Sequence, residues 1–138
     1  MSDALLPAPA DEMTAVWWDA TRERRLLVQT CTACGHRQHP PRALCTGCGS
    51  TEHLDHLEAT GLGRVDACTV VERAPAEGLA TPYVLARVRL AEGVILLTTV
   101  ETPAPHDVAI GDPVRLTWRA LSDGRRLPTF EPAPEENR

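Results

Sequence analysis

Three features of the chain predict a mainly β protein: a short N-terminal helix, a small metal-held ribbon and a five-stranded barrel. Two Cys-x-x-Cys-Gly knuckles, Cys31-Thr32-Ala33-Cys34-Gly35 and Cys45-Thr46-Gly47-Cys48-Gly49, stand with ten residues between them. Five short runs rich in β-branched residues fill the stretch after Gly61. Ahead of the knuckles, one stretch has acidic residues at its start, arginines at its end and helical apolar spacing between. These features divide the 138 residues into a leader and helix (1–25), a ribbon (26–60), a barrel (61–131) and a tail (132–138).

The leader over 1–10 holds two prolines and is expected to be loose. It lacks a basic start and an apolar core, so it does not read as a signal peptide. The helix is expected over 11–25. Asp11 and Glu12 open it and Arg22, Arg24 and Arg25 close it, matching the helix macrodipole. Val16, Trp17 and Ala20 make an apolar stripe, which Trp18 widens. Two readings of the adjacent tryptophans are open. Either both are structural, one on the barrel and one on the ribbon, or at least one meets a partner protein, where tryptophan is favoured.

In the ribbon, Cys31, Cys34, Cys45 and Cys48 can converge tetrahedrally on one metal, and soft thiolates favour zinc. Four thiolates leave no position open for water, so the site is expected to be structural. Tetrahedral sulfur also suits iron, as in a rubredoxin-like centre. Disulfides are disfavoured because the spacing is that of a metal site and a secretory leader is lacking. The −2 charge of a zinc tetrathiolate would be offset by Arg37, Arg42 and any protonated His36 or His39. Cys68 lies in an apolar run and reads as a small buried hydrophobe. A segment this short cannot bury a core of its own, so metal supplies its folding energy and the barrel's core is expected to be separate.

The barrel strands are expected over 65–72, 83–90, 94–101, 114–121 and 126–130. Ala91-Glu92-Gly93 reads as a three-residue hairpin turn with glycine last. Alternation points Val84, Ala86, Val88 and Leu90 inward, and likewise Val114, Leu116, Trp118 and Ala120. Arg87, Arg89, Arg115, Thr117 and Arg119 then face out. An OB-fold is the most economical barrel for this strand count. The tail is polar and expected to be disordered.

Composition limits function. Net charge is −5, and all 14 basic residues are arginine, which offers phosphate backbones no general attraction. Residues 61–138 carry nine arginines against eleven carboxylates, with Tyr83, Trp118 and Phe130 the only aromatics. A single-strand-binding OB surface needs stacking aromatics in a positive groove, so nucleic-acid binding is the alternative and not the first reading. No run is long enough to span a membrane. Reduced thiols without an export signal point to the cytoplasm. Gly61-Leu62-Gly63 lacks the rest of a dinucleotide fingerprint, and no nucleophile–base grouping is evident.

The pieces in order resemble a family of zinc-ribbon/OB-fold proteins associated with acyl-CoA enzymes, the domain of unknown function numbered thirty-five. They are the tryptophan helix, the paired knuckles, Gly61 and Gly63, Thr81-Pro82-Tyr83, Leu90 with Glu92-Gly93, Ile110-Gly111-Asp112-Pro113-Val114, and Leu127-Pro128 with Phe130. The resemblance covers nearly the whole chain and keeps all four ribbon cysteines. It implies a non-catalytic accessory subunit in a hetero-oligomer with a thiolase-fold enzyme: an acyltransferase, a thiolase or a retro-aldolase. Such a subunit stabilises its partner or helps to form the acyl-CoA site, with a CoA thioester as ligand of the complex. It transfers no catalytic residue. On this reading Arg87, Arg89, Arg115 and Arg119 face either CoA phosphates, an acidic partner, or only solvent. Some relatives fuse this module to a hot-dog-fold dehydratase; from the length of 138 residues, that fusion is not expected here.

Overall fold

The computed structural model describes residues 6–135. Asp11 Oδ1 accepts from the backbone N–H groups of Met13 and Thr14, both at 2.9 Å, and from the Thr14 hydroxyl. This side-chain turn competes with helical pairing, and α1 runs Ala15–Arg22 and not over 11–25. Its end is a Schellman motif. The Arg25 N–H reaches the Ala20 carbonyl and the Arg24 N–H the Thr21 carbonyl, each at 3.0 Å. Arg24 therefore sits at φ 57, where a side chain is strained and glycine is not. Arg24→Gly is expected to stabilise the protein by about 1 kcal/mol, raising the thermal midpoint by about 3–5 °C. An unchanged or lower midpoint in a melting experiment would count against it.

Three strands build the ribbon: β1 (Leu27–Cys31), β2 (Arg37–Gln38) and β3 (Leu54–Glu58), in the order β2-β1-β3. The last of them, a strand not expected from the sequence, pairs antiparallel with β1 from Leu27↔Glu58 to Cys31↔Leu54.

The barrel strands are β4 (Leu62–Val71), β5 (Tyr83–Leu90), β6 (Ile95–Val100), β7 (Pro113–Ala120) and β8 (Arg126–Pro132). They close in the order β4-β5-β6-β8-β7, with β6 and β8 parallel at Val100↔Phe130. Gly63 is required by close approach: a Cβ there would lie 2.7 Å from the Arg89 carbonyl oxygen on β5. A bulge at Asp66 breaks the β4–β5 register and turns that carboxylate outward.

Val84, Ala86, Val88 and Leu90 are buried as the alternation required, and Phe130 is completely buried. On β7 the pattern holds for Val114 and partly for Leu116 and Trp118. Ala120 is exposed, contrary to expectation. It pairs with Arg126 at the last position before the β7–β8 turn, where the strand has run past the barrel's filled interior.

Three further expectations are corrected. The ribbon and barrel share one core: Leu26, Leu27 and Val28 belong to the same cluster as Trp17, Ala20, Val84 and Phe130. The leader is tied down, because Arg125, 5% exposed, donates to the carbonyls of Pro7 and Ala8 at 2.9 and 2.8 Å. The tail is held over 132–135, by the Ala133 N–H on the Pro113 carbonyl and by Arg64–Glu135 at 2.6 Å. The rest of both segments, 1–5 and 136–138, lies outside the described residues.

Candidate metal centre

The two knuckles fold alike. In the first, the Cys31 N–H bonds to the His36 carbonyl and the Gly35 N–H to the Cys31 carbonyl, both at 2.8 Å. In the second, the Cys45 N–H bonds to the Ser50 carbonyl and the Gly49 N–H to the Cys45 carbonyl, at 2.9 and 2.8 Å. Gly35 and Gly49 share φ +81, which explains the glycine after each cysteine pair. The four Sγ atoms lie within 4.8 Å of one another. Across the two knuckles, Cys31–Cys48 is 3.8 Å and Cys34–Cys45 is 3.6 Å. A tetrahedron with Zn–S bonds of about 2.3 Å has edges of about 3.8 Å. The donor set therefore fits a structural zinc with a closed coordination sphere, matching the expected ligands.

Local fields already favour thiolate at one ligand. Burial disfavours the charged form of Cys45, but the backbone N–H groups of Cys48 and Gly47, together with hydrogen bonds from the Cys34 and Cys48 thiols, outweigh it and bring the thiol down to about 6. At Cys34 the His36 N–H lowers the pKa, whereas burial and the sulfurs of Cys45, Cys48 and Cys31 push it up to about 12. Sulfurs packed this closely cannot all ionise without a cation between them.

Two residues that sequence reasoning passed over hold the second knuckle in place. Gln38 and Gln29, both buried, face each other across β1 and β2, with Gln38 Nε2 donating to Gln29 Oε1 at 2.7 Å. Gln38 also accepts from the Thr46 N–H at 2.9 Å, and Gln29 accepts from the Arg42 N–H at 2.8 Å. A buried amide that satisfies backbone groups on a turn fixes that turn's position. The signal was a polar residue in the buried phase of β1.

Of the basic groups near the knuckles, Arg37 and His39 are placed differently from expectation, whereas His36 stays beside the second knuckle. Arg37 reaches away to the Glu92 carbonyl on the β5–β6 hairpin at 3.3 Å. His36 bonds to the Thr46 hydroxyl at 2.9 Å. His39 packs against Trp17, ring centroids 5.6 Å apart, and burial pushes its pKa down to about 4. Because the folded value lies below the ordinary 6.5, folding favours neutral His39. That stabilisation is complete above pH 6.5 and is lost as pH falls toward 4, about 3 kcal/mol in all. His39→Leu is expected to flatten this part of the stability profile, read as unfolding free energy at pH 7 and 4.5. An identical pH dependence in the variant would remove His39 from the account.

Trp17 is 7% exposed and belongs to the core, whereas Trp18 is half-buried. Their rings meet edge to face at 4.8 Å, and the Arg125 guanidinium lies 4.5 Å over Trp18. The four outward arginines do not form one stripe. Arg87 and Arg89 lie on β5 and share Asp66, at 3.6 and 3.4 Å. On β7, Arg115 pairs with Glu131 at 3.1 Å and Arg119 with Glu101. β5 and β7 are not adjacent in the barrel. Phe130 is buried, so it is not offered to a nucleic-acid base, and Trp118 is partly buried against the core. Cys68 is half-buried, its Sγ 3.7 Å from the Val108 carbonyl.

Residues 18–53 match the family described as "ChsH2, rubredoxin-like zinc ribbon domain", and 57–119 match "ChsH2, C-terminal OB-fold domain". A solved structure titled "Ltp2-ChsH2(DUF35) aldolase" contains a chain 38% identical, with TM-score 0.84, covering 93% of this chain and 100% of that one. This chain belongs to the ChsH2-type DUF35 family. A DUF35 protein of unknown function from Sulfolobus solfataricus, 16% identical with TM-score 0.64 over 90% of this chain and 87% of its own, shares the fold.

Two curated relatives of this DUF35 chain are longer proteins. A probable enoyl-CoA hydratase alpha subunit from Thermomonospora curvata is 41% identical over 96% of this chain. A 3-oxo-4,17-pregnadiene-20-carboxyl-CoA hydratase alpha subunit from Mycobacterium tuberculosis is 32% identical over 88%. The chain spans only 42% and 38% of their respective lengths. No helix among the described residues is long and apolar enough to cross a membrane.

Proposed function

We propose that this chain is a non-catalytic accessory subunit of a thiolase-fold acyl-CoA enzyme, with retro-aldol cleavage of a CoA thioester the reaction it best fits. One observation carries the reading: the chain matches, over 93% of its own length and all of the other's, a chain of a complex titled as an aldolase. The hydratase names belong to proteins more than twice as long, so that activity is the weaker guide. The chemistry of this chain agrees. Its metal site is closed by four thiolates, which leaves zinc no position for water or substrate. The subunit's contribution is then structural: it stabilises the enzyme or completes its acyl-CoA site, in a reducing compartment such as the cytoplasm.

The test is to recover the untagged chain from its native host, identify any protein bound to it, and assay both on β-hydroxyacyl-CoA esters. A thiolase-fold partner at fixed stoichiometry, with turnover only in the complex, is the expected result. Robust turnover by the purified chain alone would overturn it.

A further inference from the structure

The outward face of β5 and β6 is apolar at its centre, where a barrel surface facing only water would be polar. Leu97 projects from it at 73% exposure, and Leu85 lies beside it on β5, opposite Thr99. A hollow of about 220 Å³ lies on the β4 side of Leu97, lined by Ala67, Cys68 and Arg87 among others. A second, of about 360 Å³, lies on the β8 side and reaches Trp18 and Leu127. Leu85 and Leu97 wall both hollows. An exposed apolar surface of this kind marks an interaction site. A leucine standing between two shallow apolar hollows has the relief of an interface between folded proteins, where side chains interdigitate. A small ligand would instead need a concavity that encloses most of its surface.

Charge narrows the partner. Arg115 and Arg119 each have a carboxylate of their own, but Arg87 and Arg89 divide one, Asp66. Among the described residues, that edge of the face therefore carries one positive charge in excess. Arg87 also lines the smaller hollow and stands opposite Leu97 across β5 and β6, which places the excess charge beside that leucine, on its β4 side. A complementary surface is apolar at its centre and acidic at the matching edge. Nucleic acid fits poorly, since leucines and not stacking aromatics occupy the centre.

We propose that the β5–β6 face, centred on Leu97, is where this subunit docks on an apolar, acid-rimmed surface of its enzyme partner; this rests on the accessory-subunit reading above. The probe is the thiolase-fold subunit recovered with the unaltered chain, purified and titrated calorimetrically against variants of this chain. Leu97→Asp is expected to weaken binding by at least about thirtyfold. Arg87→Glu combined with Arg89→Glu is expected to weaken it about tenfold and to flatten its salt dependence. Ile110→Asp changes a residue 70% exposed that lines neither hollow, and is expected to stay within about twofold. Unchanged zinc content and circular dichroism establish that each variant is folded. If Leu97→Asp binds as tightly as the unaltered chain, the face is overturned while the accessory reading stands. If no thiolase-fold subunit is recovered at all, the accessory reading fails and this face loses its occupant with it.

Discussion

Replacing Cys45 by serine is expected to drop zinc from one per chain to well below one and to unfold the ribbon. Cys45 is 1% exposed, and its sulfur faces Cys34 at 3.6 Å, so a hydroxyl there removes a ligand without solvent to replace it. Metal binding in such peptides is worth on the order of 10–16 kcal/mol at neutral pH, more than a small domain's whole stability. The loss should not stop at the ribbon. Leu26, Leu27 and Val28 run from the barrel's core into β1, whose last residue is the ligand Cys31. The barrel's thermal midpoint is therefore expected to fall as well. Metal analysis of protein made without added metal, with near-ultraviolet circular dichroism, checks both parts. Stoichiometric iron in the unaltered protein, or a folded ribbon in the metal-free variant, would defeat the prediction.

Trp17→Ala is expected to cost about 3–5 kcal/mol. Trp17 is nearly enclosed and sits where α1, His39 of the ribbon and the β6–β8 seam of the barrel meet. Its Nε1 is buried without a hydrogen-bond partner, so Trp17→Phe removes an unsatisfied donor along with the volume and should cost distinctly less. Trp18→Ala, at a half-exposed ring covered by Arg125, is expected to cost about 1–2 kcal/mol. Denaturant unfolding of the three variants gives the order. The shared core also predicts one transition for ribbon and barrel in Trp17→Ala. A Trp18 penalty equal to that of Trp17 would mean that burial is not what separates them.

The parts that were legible in the chain are those governed by short-range rules. Doubled Cys-x-x-Cys-Gly spacing specifies a four-sulfur site because ligand geometry and the turn glycines leave little choice. Period-two alternation located the inward row of β5 because one face must be apolar if a barrel is to have a core. The same rule failed at Ala120, since alternation cannot say where a strand outruns the interior. It also missed β3, where Asp55 and His56 interrupt the apolar residues Leu54 and Leu57.

The amino-acid sequence by itself determined the metal ligands, the five-stranded barrel and the family, because each rests on residue identity at fixed local spacing. Tertiary structure alone decided which tryptophan is buried, because Trp17 and Trp18 are neighbours in sequence and differ only in what packs against them. It also joined the ribbon and barrel into one core, and made Gln29 and Gln38 the braces of the second knuckle. It drew Arg125 onto the leader, more than a hundred residues away in the chain. It split the outward arginines into two groups, because strand order, β4-β5-β6-β8-β7, and not sequence position, decides which side chains share a surface.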